Sequence, residues 1–235
     1  MNFFKKSFAI VFASVFSLCT CFATPSGQPG YTLKLTFLGN GGVRKINIIQ
    51  CMVNGCSSNE LISVVAYSEM KFKLKNDKFA NLQIWDTAGQ DDFQCLAPMY
   101  LRKSNCVFIV FDVTSEESFK SIHRWLEVLK DNAGQDLSQI VISILANNID
   151  SLSDRVVFSD EGMAQVNSWS KEYEIHIGYY EVSSNTSMGI SETLSEVVHK
   201  AVEKYDNRPR VEQVPLVEPV RLKDTADTAK KAGYC

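Results

Sequence analysis

Two short segments hold residue types able to work on phosphate groups. In the first, Leu35-Thr36-Phe37-Leu38-Gly39-Asn40-Gly41-Gly42-Val43-Arg44-Lys45-Ile46, an apolar run enters a glycine-rich turn and then a lysine. Glycines let backbone N–H groups approach phosphate oxygens and Lys45 adds positive charge, so Gly39, Asn40, Gly41, Gly42, Val43 and Lys45 are the candidate cradle. The match is partial. A complete cradle has glycine where Arg44 stands and, where Ile46 stands, a Ser or Thr hydroxyl for Mg²⁺. Taken alone, this segment reads equally well as a plain strand-turn-helix corner.

The second segment, Ile84-Trp85-Asp86-Thr87-Ala88-Gly89-Gln90, follows an apolar run and sets an acid, a glycine and a glutamine close together. Asp86 at a strand end can hold a metal-bound water. Gly89 can give its N–H to a terminal phosphate, and Gln90 can orient an attacking water.

Such groups work only on a rigid frame, and the apolar pattern between residues 31 and 205 supplies one. Tyr31–Leu38, Asn81–Trp85, Cys106–Asp112 and Ile140–Ala146 read as strands, the last two apolar almost throughout and hence buried on both faces. Phe119, Ile122, Leu126 and Leu129 recur at helical spacing, as do Leu194, Val197, Val198, Ala201 and Tyr205. Strands interleaved with helices predict a mostly parallel sheet.

Composition narrows the function. With 24 basic against 27 acidic residues in 235, and no Lys/Arg-rich run, nothing favours nucleic acid as a partner. The seven cysteines show no paired spacing for zinc and read mostly as small apolar residues, Cys106 as a reduced core position. At the N-terminus, Lys5 and Lys6 precede an apolar stretch from Phe8 to Ala23, the layout of a signal peptide or anchor. Beyond Asn207 the chain carries Pro209, Pro215 and Pro219 with no apolar periodicity. The expected organisation is therefore a leader and linker over 1–30, a folded domain over 31–206 and a flexible tail over 207–235.

Trp85-Asp86-Thr87-Ala88-Gly89-Gln90 resembles switch II of Ras-like GTPases, the Rab branch in particular. Leu96-Ala97-Pro98-Met99-Tyr100-Leu101-Arg102 and the run from Phe111 to Phe119 are similar to the Rab continuation, nearest the endosomal members. The likeness runs from about Thr32 to Tyr205. It implies an α/β fold: a P-loop small G domain with a six-stranded, mainly parallel sheet, helices on both faces and the nucleotide at the carboxyl ends of the strands.

The resemblance also implies GTP or GDP as ligand, with Mg²⁺ as a metal weakened by Ile46. Asn147-Asn148-Ile149-Asp150 is similar to the family's Asn-Lys-x-Asp, which makes Asp150 the acceptor for two guanine N–H groups, the alternative being a helix cap. Asn147 would tie its loop to the glycine turn, and Asn148 lacks the lysine stem that lies on the base. Ser183-Ser184-Asn185 resembles the family's Ser-Ala-Lys loop, with the Ser184 backbone N–H directed at the guanine oxygen. Ser63 falls at the distance upstream of Trp85 that the family's switch I hydroxyl for Mg²⁺ would have if no residue is inserted, with Ser57 and Ser58 as other hydroxyls in the same stretch. Cys235 resembles a prenylated terminal cysteine, although Ala232-Gly233-Tyr234-Cys235 is not a CaaX box.

The expected function is a Rab-like guanine-nucleotide switch in vesicle traffic that hydrolyses GTP slowly, Gln90 positioning the water. Effectors and regulators would dock on its switch loops, and the N-terminal apolar segment or Cys235 would attach it to endomembranes. The alternative is a pseudo-GTPase interaction module, since Arg44, Ile46, Asn148 and Asn185 depart from the pattern in three separate motifs. A third reading, an exported protein, follows from a true signal peptide.

Overall fold

Where apolar residues run without alternation, a strand has helices on both of its faces, and β4 (Cys106–Asp112) and β5 (Val141–Asn147) form the middle of such a sheet. The computed structural model describes residues 30–55, 67–87 and 97–207. The remaining strands are β1 (Tyr31–Leu38), β2 (Tyr67–Lys73), β3 (Phe79–Asp86) and β6 (Ile177–Glu181), in the six-stranded order β2-β3-β1-β4-β5-β6. Only β2 is antiparallel to its neighbour; every other pair is parallel. All the parallel strands therefore end on one side, and the glycine turn, Asp86, Asp112 and Asn147 emerge there together.

The helices are α1 (Lys45–Asn54), α2 (Ala97–Leu101), α3 (Glu116–Lys120), α4 (Ile122–Asn132), α5 (Ser159–Glu172) and α6 (Ile190–Asp206). The sheet divides the core in two. Cys106, Phe108 and Val110 of β4 face α1 and α6, packing with Ile48, Met52, Leu194 and Val197. Val107, Ile109 and Phe111 face the other way, toward Ile122, Leu126, Leu129, Val166 and Trp169 of α4 and α5. This strict alternation within a wholly apolar strand is what a two-faced core requires.

The sequence placed four strands closely, with β3 longer at both ends and β5 one residue later than expected. β2 and β6 were not foreseen because their faces are half exposed and their residues mixed. The periodic stretch around Phe119 is two helices rather than one. Ser115 caps α3 by accepting from the Ser118 N–H, and the chain turns at Ser121 before α4 begins. Cys51 also departs from expectation: it is disulfide-bonded, whereas Cys106 is a buried thiol. The leader (residues 1–29) and the tail from residue 208, with Cys235, lie outside the described residues. Among the described residues no helix is long and apolar enough to cross a membrane.

Phe108 is fully buried and meets Phe37 edge-on at 5.2 Å between ring centres. Phe108→Ala is expected to cost about 3–5 kcal/mol, measured as a shift in the urea unfolding midpoint, because it removes a buried ring and leaves a cavity in its place.

Candidate functional site

The glycine turn is held in place by two packing constraints. Gly39 has φ 136°, and a Cβ there would sit 2.4 Å from the Val110 carbonyl oxygen, so the turn lies directly against β4. Asn40 turns its side chain away from the site: its Oδ1 accepts from the Trp125 indole N–H and the Ser121 hydroxyl, each at 2.9 Å. Through this oxygen Asn40 pins the turn to α4. Gly42 differs again, with φ 84° and nothing within 4 Å of an added Cβ. Its outer face is open space.

At the end of the turn Arg44 adopts the left-handed conformation, φ 63° and ψ 37°, and α1 starts at Lys45. The helix has no side-chain cap and no acidic residue in its first turn, so its leading N–H groups and the positive end of its dipole face the cavity. Lys45 is 6% exposed and folds back, its Nζ donating to the Gly39 carbonyl at 2.8 Å and the Asn40 carbonyl at 2.9 Å. It is no solvated helix-start lysine. Burial lowers its pKa, partly opposed by the charge of Asp86; burial raises that of Asp86, partly opposed by Lys45.

Asp86 Oδ1 is buried and has no hydrogen-bond partner among the described residues. Beside it Thr87, which sequence reasoning passed over, is fully buried and donates its hydroxyl to the Phe37 carbonyl at 2.6 Å, locking the end of β3 to β1. A cavity of about 310 Å³ lies between Gly41, Gly42, Arg44, Lys45, Ile46, Asn47, Asp86 and Thr87. A second, of about 280 Å³, lies on the other side of the turn against Asp112, Ser115 and Ser118. A third cavity, of about 430 Å³ between α5, β6 and α6, is separate from these groups.

Asn147 is fully buried and does what its position implies. Its Nδ2 donates to the Val43 carbonyl at 3.0 Å and its Oδ1 accepts from the Ser184 N–H at 3.0 Å. That second bond corrects the expectation for Ser184, whose N–H is spent on Asn147 rather than directed at a ligand. Asp150 accepts from the Ser183 hydroxyl at 2.6 Å and the Asn185 amide at 3.0 Å, so it caps no helix. The Ser183 hydroxyl, then the Asn185 amide, depress its pKa, with Arg44 adding a smaller effect. Asn148, left-handed at φ 68°, sends its amide to Asp112 and not toward the site's mouth.

The structure therefore brings together Gly39, Gly41, Gly42, Val43, Lys45, Asp86, Asn147, Asp150, Ser183 and Ser184 at the carboxyl ends of the strands. Ser63, Gly89 and Gln90 lie outside the described residues. These features fit a phosphorylated ligand: an uncapped helix start, an open glycine face and a buried lysine. They do not fit a divalent cation in the same way. Ile46, 37% exposed, presents only methyl groups where a hydroxyl is needed, and among the described residues no cluster of three metal-binding side chains occurs.

Comparison with known proteins adds an independent finding. A family model for the Ras family matches residues 34–203. The chain is similar to Ras-related protein Rab-32D of Dictyostelium discoideum, 31% identical over 73% of this chain and 75% of the relative. It is 31% identical to the Ras-like GTP-binding protein RYL2 of Yarrowia lipolytica over 74% of this chain and 82% of the other. Ras-related protein Rab-21 of Mus musculus is 30% identical over 74% of each chain.

The two turn glycines give separable effects. Gly39→Ala is expected to destabilise the ligand-free protein by more than about 3 kcal/mol, because its methyl group collides with backbone, whereas Gly42→Ala costs about 1–2 kcal/mol of left-handed strain alone. Urea unfolding of the two variants side by side checks this; equal losses would contradict the assigned packing.

Proposed function

Because the chain belongs to the Ras family as a Rab-type small GTPase, we propose that it is a guanine-nucleotide-dependent switch in membrane traffic, binding GTP and GDP and hydrolysing GTP slowly. One observation carries the reading. Asn147 joins the glycine turn to the loop of Ser183 and Ser184, with Asp150 beside it, so a phosphate cradle and a base-reading carboxylate share one frame.

In this reading the amides of Gly41 to Lys45 and the Lys45 ammonium hold the phosphates. Entry of a polyanion favours the charged form of Lys45, which burial alone disfavours. Asp150 reads guanine by accepting from its two N–H groups, a pair adenine lacks. Gln90 orients the attacking water and Gly89 addresses the last phosphate. Hydrolysis is slow because Ile46 supplies no oxygen to a cation that would neutralise the transferred group. Loops around Ser63 and Gln90 would carry the nucleotide state to effectors and regulators. The N-terminal apolar segment and Cys235 are the proposed membrane attachments, since one lipid chain alone anchors weakly.

Ile46 and the self-bonded Asp150 favour a second reading, in which the chain is an interaction module that keeps a Rab surface without a working nucleotide cycle. Titration of the full chain with fluorescent GDP and GTP, with and without Mg²⁺ and against ATP, separates the two. Guanine-selective binding in the micromolar range or tighter supports the switch; no binding supports the module. Arg44→Gly combined with Ile46→Ser is expected to tighten Mg²⁺-dependent binding at least about tenfold, or ~1.4 kcal/mol, and an unchanged affinity would refute the role given to these two positions.

A further inference from the structure

Arg44 and Asn185 lie 141 residues apart and come from different motifs, yet they meet: the Arg44 guanidinium donates to Asn185 Oδ1 at 2.9 Å. The same carboxamide donates its Nδ2–H to Asp150 Oδ2 at 3.0 Å, while the Ser183 hydroxyl donates to Oδ1 at 2.6 Å. A cation, a carboxamide and a carboxylate thus form one polarised line from the phosphate turn to the base-reading loop. Inside it runs the buried tie through Asn147, so the two loops are joined twice.

A guanine edge would present two N–H donors to a carboxylate. In this protein a hydroxyl and an amide already supply two donors to Asp150. We propose that Arg44 and Asn185 form a latch across the base-reading end of the site, Asn185 competing with guanine for the Asp150 carboxylate and Arg44 holding it there. This rests on the reading that the site takes a guanine nucleotide. Binding then exchanges one hydrogen bond for another instead of adding one, so the net gain from the base falls. A ligand without a donor pair cannot make the exchange. The latch is a form of discrimination acting through competition with the wrong ligand as well as attraction to the right one.

The residues that form the latch also explain one another. A side chain at position 44 must accept the left-handed backbone, which disfavours every residue except glycine. From that position the long guanidinium reaches the opposite loop, and the short carboxamide at position 185 bridges the remaining distance to Asp150.

The test uses the full chain with Arg44→Ala, Asn185→Ala and the double variant. Alanine at 44 keeps the left-handed strain, so only the side chain is removed. Each single variant is expected to tighten GDP about three- to tenfold, and the double variant no further than the better single one, because one bond network is being broken. Pyrophosphate, which reaches only the phosphate turn, should bind Asn185→Ala and the parent protein equally. Urea unfolding without nucleotide supplies a readout independent of GDP, in which the 44/185 double-mutant cycle should show coupling of about threefold in the unfolding constant. Additive unfolding effects, or GDP affinity unchanged or weakened in both single variants, would overturn the latch. Coupling in a protein that binds no GDP in any variant would keep the latch and refute the guanine reading instead.

Discussion

One buried carboxamide joins three segments at the carboxyl end of the sheet. Asn147 ends β5 with no solvent exposure, and its two polar atoms reach in opposite directions, to the Val43 carbonyl and to the Ser184 N–H. Three segments far apart in the chain are held by it: the glycine turn, the end of β5 and the loop that follows β6. A group so deeply buried must satisfy both ends of its amide, since an orphaned donor or acceptor there costs about 1–3 kcal/mol. Geometry at the site is therefore fixed by the same satisfaction rule that governs the core. Trp125 extends the rule to the helix layer, because its indole N–H and the Ser121 hydroxyl are both met by Asn40.

Lys45 and Asp86 carry the opposite burden. Burial pushes each toward its neutral form, and each only partly relieves the other. Lys45 answers by donating to two carbonyls of its own turn, but Asp86 leaves Oδ1 unanswered among the described residues. This imbalance is not needed by the fold, since Thr87 already locks β3 to β1. Asp86 and Ile46 line the same cavity, the one with a carboxylate and the other with hydrocarbon.

Much of this was legible in the sequence because the signals were local. Uninterrupted apolar runs gave β4 and β5, and the order of residues in the glycine turn and at Trp85-Asp86 pointed to two segments that line one cavity. β2 and β6 escaped because half-exposed strands carry no clean period. The break at Ser121 escaped because the apolar spacing continues through it, and only the Ser115 cap reveals where one helix ends its register. Contacts between distant segments were the least accessible. The position of Asn147 implied its bridging role, but no periodicity could show that Asn40 belongs to Trp125, or that the Ser184 N–H is already taken.

The departures from the family pattern look unrelated along the chain and related in space. Arg44 replaces a glycine and Asn185 a lysine, and each bonds the other. Asn148 replaces a second lysine and gives its amide to Asp112, although its Oδ1 has no partner among the described residues. Mutual bonding of Arg44 and Asn185, anchored on Asp150, makes one polar network between the glycine turn and the loop after β6. Ile46 is a different case, a hydrocarbon side chain that lines the cavity beside Asp86. Arg44 thus ties the glycine turn to the loop after β6, while Ile46 only lines the cavity beside Asp86.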